Sequence, residues 1–190
     1  MQIQSILHEN VNSEIELDFY VPVTVEFKEN DNPTKELLYF RMLNERFSFV
    51  EFKVNSESRK IYSIIVVSIN EIEKSLDMEK TDFSNIPFEK GNPTIDIDFW
   101  RDTTVKTAKS NFITMYNTND LFILPEDKTL VTKRILMSNL ELLVNDEKEI
   151  IGIIFFGLPN ENKKDFEDCI DRVIAVQDSN KMQYEAKNSN

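Results

Sequence analysis

The feature that most constrains this chain is a segment that occurs twice. Val50-Glu51-Phe52-Lys53-Val54-Asn55-Ser56-Glu57 aligns with Leu140-Glu141-Leu142-Leu143-Val144-Asn145-Asp146-Glu147, and after turns that differ by one residue, residues 61–69 align with residues 150–158. Seven of the 17 aligned positions are identical, and the small residues coincide, Ser63 with Gly152 and Ser68 with Gly157. Alternation of apolar and polar residues makes any two amphipathic hairpins look alike, but it does not require the same Glu, Val and Asn at the same places. Upstream, Ile15-Glu16-Leu17-Asp18-Phe19-Tyr20 matches Ile95-Asp96-Ile97-Asp98-Phe99-Trp100 in the same order. A period of about 80 to 90 residues is too long for a solenoid and suits two similar lobes.

The pattern predicts an α+β, β-rich fold: two similar antiparallel-sheet lobes produced by internal duplication, with a C-terminal helix. The first lobe covers residues 1–85, the second covers 86–176 in the same compact unit, and residues 177–190 form a flexible polar tail. A half of this size buries too little surface to stand alone, so the two apolar hairpins are expected to cover each other. Strand-like runs are separated by Asn-rich breaks at residues 30–33, 55–58, 117–120 and 145–147. Asn and Asp tolerate left-handed backbone angles and bond to their own turns, which serves a chain with only three glycines. Helical spacing predicts a short helix over 70–79 and a stronger one over 163–176, the latter with Phe166, Ile170, Val173 and Ile174 on one stripe.

With three glycines, one histidine and one cysteine, the chain has little with which to build a phosphate-cradling loop, a zinc cluster or a disulfide framework. No hydrolase, metalloprotease or nucleotide-binding motif is present, so the expectation is a non-catalytic protein with no cofactor and no metal. The net charge of −12 disfavours nucleic acid as a direct ligand, since phosphate binding draws on clustered cations. It fits either a solvated surface or steering toward a basic partner. The N-terminus reads as a first strand, not as a secretory signal, and the longest apolar run, 150–158, is too short to span a membrane. A cytoplasmic protein without membrane contact is expected.

Alternation in 95–100 predicts a strand with Asp96, Asp98 and Trp100 facing out; Glu16, Asp18 and Tyr20 are the matching outward set. Paired carboxylates beside an aromatic suit docking against a basic protein surface, and ordinary solvent exposure produces the same pattern. Core packing is the ordinary role of Trp100; if exposed, it would lead the interface. The Asp18…Glu26-Phe27-Lys28 series and Glu51-Phe52-Lys53 resemble nuclease metal sites only weakly, and His8 stands alone.

An acidic α+β chain of this size with a duplicated hairpin, residues 50–69 and 140–158, resembles the immunity proteins of bacterial toxin systems, including those of contact-dependent growth inhibition. The resemblance implies a protein partner, a basic toxin domain whose active-site groove is occluded by charge mimicry. The other expectation is an assembly module that pairs through a sheet edge, so that the protein is either a monomer or a homodimer.

Overall fold

The computed structural model describes residues 1–28, 36–73 and 82–188. It is strand-rich, with one described α-helix. The first repeat forms the hairpin of β5 (Phe49–Asn55) and β6 (Ile61–Ser68), and the second forms the hairpin of β13 (Leu140–Val144) and β14 (Ile150–Phe155). Each hairpin lies inside a six-stranded sheet. In the first sheet, β2 (Ser13–Leu17), β3 (Val23–Phe27), β6, β5 and β4 (Leu37–Leu43) lie in that order. In the second, β10 (Phe112–Tyr116), β11 (Leu121–Pro125), β14, β13 and β12 (Lys133–Met137) repeat it strand for strand. A sixth strand closes each sheet in parallel: β9 (Val105–Lys109) beside β4, and β7 (Phe88–Lys90) beside β12. Thus a strand from residues 105–109 belongs to the sheet built otherwise from residues 13–68.

The halves also exchange strands. β1 (Ile3–Leu7) pairs antiparallel with β8 (Asn92–Ile95), Ile3 opposite Ile95. The Ile3 amide donates to the Lys148 carbonyl, and the Ile95 amide donates to the Arg59 carbonyl, each at 2.8 Å. Arg59 and Lys148 occupy corresponding turn positions and have nearly the same left-handed φ, 60° and 61°. Each turn is organised by the shared asparagine. The Asn55 Oδ1 accepts from the Glu57 and Ser58 amides, and the Asn145 Oδ1 accepts from the Glu149 amide. Asn117 does the same for Asn119 and Asp120. The break at 30–33 lies outside the described residues.

This exchange corrects the upstream alignment. Ile95 ends β8 and corresponds to Ile3, while β2, which contains Ile15, corresponds to β10. Residues Ile97–Trp100 are a 3₁₀ turn because the Asp96 carboxylate caps it, accepting from the Asp98 amide at 3.0 Å. A local cap overrides an alternation that suited a strand equally well.

The inner faces of both sheets join one apolar core, in which Phe52, Ile64, Ile153 and Phe155 are fully buried. Helix α1 (Lys163–Asn188) adds Phe166, Ile170 and Val173, the stripe its spacing predicts. The helix runs past its expected end at Val176, to Asn188, with no Gly or Pro to stop it. Its Gln177 side chain accepts from the Ile72 amide at 3.0 Å, fixing the helix to the segment after β6. The short helix expected over 70–79 falls mostly outside the described residues; residues 70–73 are not helical, and Glu73 bridges to Met115. A second cluster on the far face of the second sheet packs Met115, Phe122, Leu124, Leu143 and Ile154 under Phe83 and Val131. No described helix is long and apolar enough to cross a membrane.

Candidate functional site

The first sheet ends at β2, whose alternation turns Ile15 and Leu17 toward the core and Glu14 and Glu16 outward. Register places Glu14 opposite Glu26 and Glu16 opposite Thr24. These side chains, with Glu161 and Asn162 from the loop before α1, line a cleft of about 430 Å³. Four carboxylates thus face one concavity, with Lys28 bound to Glu14 at 3.0 Å on its rim. At the end of β2 the chain turns at Asp18, whose Oδ1 accepts from the Tyr20 and Val21 amides at 2.7 and 3.0 Å. The Val21 and Tyr20 amides hold the Asp18 carboxyl below its usual range. That turn leaves Tyr20 81% exposed, stacked edge-on against Phe19, while Arg172 of α1 covers the other ring. Glu16 and Tyr20 are therefore presented outward, and Asp18 shapes the turn between them.

The second expected trio is arranged differently. Asp96 caps the 3₁₀ turn, and exposed Asp98 pairs with Arg101 at 3.3 Å. Trp100 is corrected outright: it is 5% exposed, its indole N–H donates to the Tyr39 carbonyl at 3.0 Å, and its ring packs edge-on to Phe40. Because the turn reverses the alternation, Phe99 is the aromatic that emerges. Trp100 lies against β4, four strand spacings from β2, or roughly 19 Å across the sheet. The two trios do not converge on one surface.

The nuclease-like series does not assemble either. Asp18 is bonded to its own turn, Lys28 to Glu14, and Glu51 to Arg41 at 2.8 Å on the neighbouring strand. Among the described residues, no three His, Cys, Asp or Glu side chains are grouped to hold a metal ion. His8 lies 3.5 Å from Glu89 on the surface. The Cys169 thiol is buried on α1, and burial pushes its pKa up, away from nucleophilic reactivity.

Another cavity, of about 510 Å³, lies between β10 and α1, with Ile72, Ile170 and Ile174 beneath Tyr116, Glu167 and Asp171. The Tyr116 hydroxyl lies 3.3 Å from a Glu167 carboxylate oxygen. Burial, and then the charge of Glu167, push the phenol up to about 12. The folded state therefore favours the neutral phenol. Its contribution to stability is complete below the ordinary tyrosine value and is lost as pH rises through the folded value. Absorbance titration at 295 nm is expected to show the Tyr116 step near 12, and Glu167→Gln is expected to lower that step without removing the part due to burial.

Comparison of the sequence with known family models and with curated proteins finds no match.

Proposed function

We propose that the protein acts by binding, docking the acidic end of its first sheet against a basic protein surface, in the manner of an immunity protein that occludes a toxin's active-site groove. The observation that carries this reading is the cleft at β2: Glu14, Glu16, Glu26 and Glu161 around one concavity, beside a tyrosine that is almost fully exposed. A concave acidic wall concentrates negative potential and steers a cationic partner, while an exposed aromatic supplies the short-range anchor. The net charge of −12 adds attraction at longer range. Inhibition by occlusion asks no chemistry of the inhibitor. Of the residues expected from the sequence, Glu16 and Tyr20 contact the partner in this reading; Asp18 acts through the turn it holds, and Asp96, Asp98 and Trp100 lie elsewhere.

The test looks immediately upstream of the coding sequence for a secreted protein with a variable C-terminal domain and mixes that domain with the full chain; a neighbourhood without one counts against the immunity reading. A one-to-one complex that abolishes the domain's activity is expected. Reversing Glu14, Glu16 and Glu26 together to Lys should slow association about tenfold or more at low salt and remove most of the salt dependence. An unchanged on-rate rejects this surface. Absence of a complex, with light scattering showing a stable dimer of the chain alone, favours the assembly module instead.

A further inference from the structure

The loop joining β4 to β5 points to a second, sharper contact. Its counterpart between β12 and β13 is a two-residue turn, Ser138-Asn139, but here five residues, 44–48, connect the strands. At the tip, Phe47 holds a left-handed φ of 62° and is 69% exposed. A bulky side chain is disfavoured at that angle, and glycine or asparagine would satisfy the loop with less strain. The surroundings nevertheless fix it there. Buried Asn44 accepts from the Arg46 and Ser48 amides and donates to the Phe112 carbonyl, while the Phe47 carbonyl accepts from Ser68 Oγ at 3.1 Å and Asn70 Nδ2 at 2.7 Å.

Among the described residues, the ring lines a groove but stacks on nothing. The other exposed phenylalanines have partners: Phe88 lies under Arg134, and Phe99 stacks with Phe40, Trp100 and Lys106. Among the described residues, no ring or cation stacks on Phe47. It lines a groove of about 690 Å³ together with Glu45, Glu71 and Asp178, the cations Arg46 and Lys181, and Tyr184 of α1. Arg46 is already paired with Glu71 at 2.8 Å.

We infer that Phe47 is a preorganised anchor that inserts into an apolar socket on a protein partner whose rim is basic. What selects this reading is a large exposed ring at the tip of a loop three residues longer than its counterpart and held by its backbone; the left-handed angle itself is shared with the turns at Arg59 and Lys148. A loop backbone fixed before contact loses little freedom on binding, and the excess of carboxylates, three against two cations in the groove on a chain of net charge −12, matches a cationic rim and disfavours an anionic membrane. The inference rests on the binding function proposed above and adds the anchor and the partner's matching chemistry.

The test places the photo-crosslinker p-benzoyl-L-phenylalanine at position 47 and, separately, at position 16 of the full chain in its native cells. Position 47 is expected to capture one protein through a segment containing Lys or Arg beside apolar residues. With that protein purified, Phe47→Gly should raise Kd about 30-fold or more, the scale of a hot-spot aromatic. Its Tm should hold or rise by about 2 °C, because glycine relieves the strained angle. Phe47→Asn, which also tolerates the angle, guards against loosening of the loop. Capture from position 16 but not from 47, or a Kd within about twofold of wild type for both variants, overturns this inference and leaves the binding function standing. Capture from neither position overturns both. Crosslinking to a second copy of the chain overturns the assignment of a separate partner.

Discussion

Arg134→Ala is expected to destabilise the protein by about 3 kcal/mol, the cost of leaving a buried carboxylate without its cation. Glu51 and Glu141 are corresponding residues of the duplicated hairpin, each held by an arginine from the neighbouring strand, but the two pairs are not equally placed. In the second sheet the Arg134 and Glu141 side chains are 16% and 11% exposed, and Arg134 Nη1 lies 3.2 and 3.4 Å from the two carboxylate oxygens. The guanidinium also donates through Nε to the Ile86 carbonyl and sits over the Phe88 ring. Without it, Glu141 keeps its place beside the second apolar cluster with no compensating charge. In the first sheet Glu51 is about as buried as Glu141, at 12% exposed, but Arg41 is 39% exposed, so its removal opens the pair to water, and Arg41→Ala should cost only about 1 kcal/mol. The double replacement Arg134→Met with Glu141→Leu should return to within about 1 kcal/mol of wild type, since apolar residues of similar size remove the desolvation penalty with the charges. Urea denaturation of the four proteins measures the differences; equal losses at the two sites would contradict the role given to burial. For a chain of this length the Arg134 loss corresponds to a Tm lower by about 6–12 °C.

Much of the fold was legible because two levels of the sequence agreed on it. The hairpins carry apolar alternation in their strands and asparagine at their turns, and both signals survive duplication, so the corresponding Asn55 and Asn145 turns could be aligned from text alone. The segment 95–100 was misread because apolar residues at alternate positions satisfy a strand, and the single hydrogen bond from the Asp98 amide to the Asp96 carboxylate that breaks it has no periodic signature. β7, β8 and β9 are only three to five residues long, with Lys, Glu, Pro and Thr where an apolar pattern would sit, so pairing partners define them. At the candidate site, alternation was enough to turn Glu16 outward. Tyr20 is exposed by the Asp18 turn, and Trp100 is buried by the 3₁₀ turn, neither of which alternation encodes. Phe47 and Phe49 alternate with Ser48 and Val50, so the sequence there reads as the start of a strand, whereas β5 begins at Phe49. The available signal was the difference in length between the two β-turn regions, five residues against two, which only becomes informative once the strands on either side have been matched.

Corresponding positions in the two hairpins should also respond to substitution with opposite sign. Gly152→Val is expected to cost about 3 kcal/mol or more, and Ser63→Ala to be neutral or to stabilise by up to about 1 kcal/mol. A Cβ at residue 152 would lie 2.7 Å from the Ile123 carbonyl oxygen, 3.0 Å from Leu143 Cδ1 and 3.1 Å from Pro125 Cδ. The nearest of these is backbone and cannot swing aside. β11 ends at Pro125, a residue with no amide to donate, and the neighbouring strand approaches β14 closely where a glycine leaves room. Any side chain there must push β11 from β14, and a branched one also meets Leu143, so Gly152→Ala should fall between wild type and Val at about 2 kcal/mol. In the first sheet the same position faces β3, where Glu26 stands opposite Ser63 and no proline intrudes, so a Cβ is already accommodated. What Ser63 carries instead is a buried hydroxyl with no hydrogen-bond partner among the described residues. Removing that oxygen removes a desolvation cost without opening a void larger than a hydroxyl. Thermal and chemical denaturation of the three single variants would decide the matter: a loss at Ser63→Ala comparable to that at Gly152→Ala would mean that the hydroxyl is satisfied in solution, and that the two positions differ in neither space nor polarity.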